Sequence, residues 1–419
     1  MKLRTHQREI VEAMKHTNKG QILVPTGGGK TLCMIKDALN ECESLWDFDK
    51  NTRRFVEPKK IVVVAPRILL AQQLCDDFLS HSFDNVAVLH VHSSKTRHWT
   101  TTNSKEIYDF AVSNWKKHQL IFTTYHSLHR IQESKIKVDT IYFDESHNST
   151  QKNFIEAVEY YSMYAKRCYF FTATPKHSRT PLKVGMNDED IYGKVIIQVP
   201  APDLISQGYI IPPKVSSCKY SAAMEQPERD KSILLEILKT EDKMDKVLVT
   251  AKSTKDIAAL MSRTSFQLEC KELLGYSVMW ITSKHGAIID GVKVRRDKFF
   301  DTMNKWGDDP NKKFIMFHHS ILSEGMNVHG LSACILMRNL DYITMAQTIG
   351  RVIRLHKEDA KDIKHGIIKP GDVSNYRKSF GKMFVPVYSN VGISTTRRLN
   401  TVVNTIFEKG EAHVSHVTR

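Results

Sequence analysis

No two cysteines of this chain stand in a CxxC spacing, and its nineteen histidines include no run spaced as metal ligands. A zinc site is therefore not expected, and the seven scattered cysteines read as buried free thiols of a reducing compartment. No stretch approaches the roughly 18 apolar residues of a membrane span. The opening MKLRTHQREIVEAM is charged and helix-periodic where a leader would carry an apolar core. Low-complexity tracts and short tandem repeats are also missing. These absences leave the expectation of a soluble, intracellular protein, cytoplasmic in a bacterial or virus-infected cell, with no membrane partner.

What is present is a large globular composition. The 419 residues are 41% hydrophobic, enough for two or three domains. Lysine and arginine outnumber aspartate and glutamate by 61 to 46, for a net charge of +15, which favours a polyanionic partner such as nucleic acid. Residues 373–419 hold seven of the basic residues against two acidic ones, a hint of a basic C-terminal face.

The strand signals are short β-branched runs at residues 22–24, 61–65, 86–91, 120–123, 140–143 and 168–171, separated by helix-periodic segments. That alternation predicts a doubly wound α/β domain over residues 1–200, with chemistry at the carboxyl ends of its strands. Prolines and a glycine crowd 199–214, so a linker is expected over 201–214. The alternation resumes at 246–250, 277–281, 313–317, 333–337 and 383–388, predicting a second α/β domain over 215–419 that ends in a basic segment.

The stretch Gln21–Leu39, QILVPTGGGKTLCMIKDAL, runs strand, glycine loop, helix. This is the context of a phosphate-binding loop. Backbone N–H groups of Thr26, Gly27, Gly28 and Gly29 can face an anion, Lys30 can reach the outer phosphates, and the Thr31 hydroxyl can ligate Mg2+. The general pattern places a glycine six positions before the lysine, where this chain has Val24, so the loop is a shortened TGxGKT form. Asp144 and Glu145 follow the strand TIYF. A metal bridging phosphates needs a hard oxygen, which suits Asp144, and an attacking water needs a base, which suits Glu145. Further along, Gln347, Arg351 and Arg354 fall at i, i+4 and i+7, a spacing that predicts one helix face.

Taken in order, PTGGGKT, DESH, TATP and QTIGRVIR resemble motifs I, II, III and VI of the superfamily 2 DEAD/DEAH-box helicases. The LRTHQ opening, the TATP form and SEGMN at 323–327 are most similar to the branch of UvsW-type DNA helicases, type III restriction translocase subunits and related repair helicases. The resemblance implies two tandem RecA-like (P-loop NTPase) domains, each a mainly parallel sheet flanked by helices, with ATP held between them. It implies that Gln7 reads adenine and that Thr172 and Thr174 couple the nucleotide site to the nucleic-acid track. Gly325 and Asn327 would lie near the ribose, although the family more often has aspartate at the latter position. Arg354 would be the arginine finger, Arg351 the second choice, and such arginines stabilise the γ-phosphate charge by a factor of roughly a thousand or more. Arg67, Thr124 and Ser253 match positions that contact nucleic-acid phosphates.

The expectation is thus an ATP-dependent helicase or translocase using Mg2+ and acting on nucleic acid, with DNA favoured over RNA. It would work as a monomer in replication, recombination or repair, with proteins of those processes as partners. Competing readings are a duplex translocase of a restriction-like complex, an RNA helicase, or a nucleic-acid sensor that uses ATP only to close on its ligand.

Overall fold

The computed structural model describes residues 2–43, 58–221, 223–319, 328, 330–388 and 390–417. They divide into two compact units. The first comprises Met1–Pro25, Gly29–Val199 and Ala412–Arg419; the second comprises Thr26–Gly28 and Pro200–Glu411.

In the first unit the chain forms helix α1 (Thr5–Lys15), β1 (Lys19–Leu23), helix α2 (Lys30–Glu43), β2 (Lys60–Ala65), helix α3 (Ile68–Leu79), β3 (Val86–Val91) and β4 (Trp99–Thr100). Then follow β5 (His118–Thr124), β6 (Thr140–Phe143), β7 (Arg167–Thr172), β8 (Lys176–His177) and β9 (Val195–Gln198). Eight of these strands make one sheet in the order β4-β3-β5-β2-β6-β7-β1-β9. Every pairing in it is parallel. β5 and β6 are buried at every residue, which is why they read as continuous apolar runs with no period-two alternation.

A buried polar network fixes α2 on this sheet. The Arg167 guanidinium of β7 donates to both Asp37 carboxylate oxygens, at 3.0 and 2.8 Å, and lies 2.9 Å from Glu41. The Tyr142 hydroxyl of β6 donates to Asp37 at 2.6 Å, and that of Tyr169 donates to the Met14 carbonyl of α1 at 2.7 Å. The helix that leaves the glycine loop is thereby tied to two central strands.

The second unit has its own eight-stranded sheet. Its strands are β10 (Pro213–Lys219), β11 (Lys246–Thr250), β12 (Ser277–Thr282), β13 (Gly286–Ile289), β14 (Val292–Val294), β15 (Phe314–His318), β16 (Ala333–Leu336) and β17 (Gly381–Val387). The order is β10-β17-β16-β11-β15-β12-β13-β14, parallel except for the terminal hairpin β13–β14, which is antiparallel to β12. Asp290 and Gly291 turn that hairpin with φ of 46° and 81°. The short hairpin and β10 carry no long apolar run, and the sequence reading missed them.

Residues 201–214, expected as a linker, are packed into the second unit. Ala201–Ser206 is a helix with Ala201 and Leu204 buried, and Ile210 and Ile211 are fully buried. The prolines there start the helix and shape the entry to β10; they do not loosen the chain. At the other end, 412–417 leave the second unit: β18 (Ser415–His416) pairs in parallel with β8. Among the described residues all seven cysteines are free, and six of them are buried. No helix among these residues is long and apolar enough to cross a membrane.

Candidate active site

β1 lies beside β7 with Leu23 opposite Thr172, and the Val24 N–H donates to the Thr172 carbonyl at 3.0 Å. The glycine loop therefore leaves its strand beside the start of TATP. Gly27 and Gly29 adopt φ of 90° and 81°, which residues with a Cβ rarely take. Gln7, wholly buried on α1, accepts from the Arg4 N–H at 3.0 Å and donates from Nε2 to the Gly29 carbonyl at 3.3 Å. A Cβ on Gly29 would meet that amide nitrogen at 2.3 Å. Gln7 thus holds the loop itself.

Lys30 opens α2, and its ammonium donates to Glu145 Oε1 at 2.8 Å with both side chains about nine-tenths buried. Burial alone would lower the lysine's pKa, but the carboxylates of Glu145 and Asp144 outweigh it and hold the value up. Asp144 shifts upward through burial and the adjacent Glu145 charge, with Lys30 opposing. Tyr125 donates its hydroxyl to the Asp144 carbonyl at 2.9 Å and fixes the strand end. Glu145 itself has φ 46° and ψ 53°, a left-handed conformation uncommon without glycine. That backbone turn is how two successive carboxylates leave the end of one strand.

His147 extends the set. Its Nδ1 lies 3.6 Å from Glu145 Oε2 and 3.1 Å from the Thr172 hydroxyl, which accepts from the Thr174 N–H at 3.1 Å. Asn148 donates to the Glu145 carbonyl at 3.0 Å and contacts His147 Nε2 at 3.2 Å. Lys30, Glu145, His147, Thr172 and Thr174 form a connected line inside the first unit. Sequence reasoning assigned no role to His147, although DESH contains it; the signal was its place two residues after the carboxylate.

In the second unit, Gln347 and Arg351 are buried on the helix Tyr342–Val352. Arg354 departs from expectation, because the helix ends before it and Arg354 instead forms an antiparallel bridge with Ile210. The Lys378 ammonium explains the stop: it donates to the carbonyls of Leu331, Val352 and Arg354 at 2.7, 2.5 and 2.9 Å, so the carbonyls at that end turn toward a cation. Burial lowers the pKa of Arg354.

Other expected residues are placed as follows. Arg67 is exposed at the N-cap of α3. Thr124 is buried, with its hydroxyl 3.5 Å from Ser127 Oγ. The Ser253 hydroxyl accepts from the Asp256 N–H at 3.1 Å and caps the helix Thr254–Arg263. Gly325 and Asn327 lie outside the described residues.

The donors fit a nucleotide with magnesium. Lys30 and Thr31 stand in the first turn of α2, where helix N–H groups favour phosphate, and Asp144 is a buried hard oxygen whose ionised form calls for a cation. Magnesium takes one or two protein oxygens and completes its shell with phosphate and water.

Residues 1–177 match the family described as type III restriction enzyme, res subunit. No curated protein sequence matches the chain. Among solved structures, the DNA-bound ATP-dependent Type ISP restriction-modification enzyme LlaBIII aligns with all of this chain at 16% identity and a TM-score of 0.72. This chain spans only 31% of that enzyme's length. A single-residue variant of S. cerevisiae Dbp5, bound to RNA and ADP BeF3, aligns over 99% of this chain and 94% of its own at 13% identity and a TM-score of 0.55. At these identities the structural matches establish the fold. Residues 1–177 are thus similar to the res-subunit family over less than half of the chain, and the two units share the α/β fold of these solved structures.

Proposed function

We propose that this protein is an ATP-driven translocase of the superfamily 2 helicase type that moves on DNA. The observation that carries the reading is the continuous line from Lys30 through Glu145 and His147 to Thr172 and Thr174. Phosphate binding at the loop takes Lys30 from Glu145 and leaves that carboxylate available to accept a proton from water. The change at Glu145 then alters what His147 and Thr172 contact. Thr31 and Asp144 would hold magnesium, which would supply positive charge to the phosphates when bound. The motif resemblance gives Arg351 and Arg354 the role of supplying positive charge to phosphate and Gln347 that of placing water.

DNA is favoured because the res-subunit match and the likeness to the DNA-bound LlaBIII both point to restriction enzymes. Movement on duplex without strand separation is the second reading those likenesses support. The test is ATP turnover against single-stranded, duplex and forked DNA and matched RNA, with fork unwinding and triplex displacement read in parallel. DNA-stimulated turnover is expected. A rate indifferent to every polynucleotide refutes the motor.

A further inference from the structure

The second unit contains a cavity of about 710 Å3 that none of the motif residues lines. Lys246 opens β11, Ser332 directly precedes β16, and Lys382 lies at the start of β17, so the cavity sits at the amino edge of the parallel strands. Ser253 and His318 belong to the opposite, carboxyl edge, about 13 Å away along a five-residue strand. The volume is that of a small-molecule site.

Six lysine and arginine side chains line the cavity against three carboxylates. Most of the cations are already committed. Lys357 pairs with Asp308, Arg377 with Asp359 and Asp362, Lys382 with Glu241, and Lys378 with its three carbonyls. Lys246 differs. It is 6% exposed, and its ammonium makes no hydrogen bond or ion pair among the described residues. Burial lowers its pKa, with the charges of Asp245, Asp309 and Asp308 opposing the shift. Its backbone is pinned by Ser332, whose hydroxyl accepts from the Lys246 N–H at 3.0 Å and donates to the Lys246 carbonyl at 2.9 Å. Its stem packs against Gly330, where an added Cβ would lie 2.9 Å from Lys246 Cδ. The first turn of the helix Lys357–Lys364 also borders the cavity and contributes its positive end.

An ammonium that borders the cavity on a largely buried side chain, with no carboxylate among the described residues in an ion pair with it, is a ready partner for an anion placed there. We propose that this cavity binds a small phosphorylated anion, with Lys246 as its main charge partner, at a site separate from the glycine loop. Its position at the amino edge, away from Ser253, favours a compact ligand over a nucleic-acid strand.

The test uses tripolyphosphate as the probe, titrated calorimetrically into the full chain. Wild type is expected to show two sites, and Lys30→Ala only the cavity site. Adding Lys246→Met to Lys30→Ala should weaken the remaining binding by about tenfold or more, as expected for losing a charge-assisted contact. Lys246→Arg should retain it. Hydrogen exchange of wild type supplies a readout free of folding defects, with added tripolyphosphate expected to protect peptides covering 243–247 and 356–382. Equal binding with and without Lys246→Met, or no such protection, overturns the proposal. So does displacement of the tripolyphosphate bound to Lys30→Ala by added single-stranded DNA, which would assign the face to the polymer.

Discussion

The Lys30 ammonium is paired with the Glu145 carboxylate at 2.8 Å, so the group that should hold phosphate and the group that should accept water's proton occupy each other. Each is released only when something replaces it. Glu145→Gln is therefore expected to keep nucleotide affinity while losing turnover by a factor of about a hundred or more. Lys30→Ala should lose both. Fluorescent-nucleotide binding beside an ATPase assay separates the two outcomes, and substantial turnover in Glu145→Gln would refute its role as base.

His147 touches both Glu145 and Thr172, so the proposed function gives it the role of linking hydrolysis to polynucleotide. In His147→Ala the ratio of DNA-stimulated to basal turnover should fall toward one, with nucleotide Kd within about twofold of wild type. An unchanged ratio would remove His147 from the coupling line.

Arg351 and Arg354 differ in backbone setting, one on a helix and the other on a bridge beyond its end. Replacing the true finger by alanine should lower kcat by about a thousandfold with little change in nucleotide affinity. Arg351→Ala and Arg354→Ala measured side by side identify it, and two mild effects would deny either one the role.

Arg167→Met leaves Asp37, whose side chain is 2% exposed, as a buried carboxylate without its cation. The expected loss is about 3–5 kcal/mol of stability, read by chemical denaturation. Arg167→Met with Asp37→Leu should recover part of it, because the orphaned charge goes too.

His318 is buried with neither ring nitrogen hydrogen-bonded among the described residues. Burial, then Arg351 and Arg338, push its pKa down to about 3. The unfolded chain, with an ordinary histidine near 6.5, binds more protons between those values. Stability from this site is thus complete above about pH 6.5 and is lost as pH falls toward 3. The pH slope of unfolding free energy for wild type minus His318→Phe should show that loss, and parallel curves would contradict it.

The fold was legible where burial makes long uniform runs. IVVVA became β2 and KVLVT became β11 because a parallel strand covered on both faces must be apolar throughout. The hairpin β13–β14 and the packed segment 201–214 were not legible, since turns and prolines look the same in a linker and in a folded corner. At the site, Lys30 and Glu145 were readable from motif chemistry. His147 was not, because its part depends on Thr172, a residue 25 positions away. Arg354 was misplaced for a similar reason: periodicity carried the helix onward, while the Lys378 side chain ends it from outside the local sequence.

The three glycines of the loop are not equivalent under mutation. Gly27 and Gly29 take positive φ and Gly28 does not, and Gly29 also has Gln7 against its missing side chain. In a saturation library across this loop, positions 27 and 29 should tolerate almost no replacement, while the backbone at 28 accepts an L-residue. The variable letter of the TGxGKT pattern is therefore a record of which dihedral angle is ordinary. Drift along a lineage has one door open in this loop and two closed.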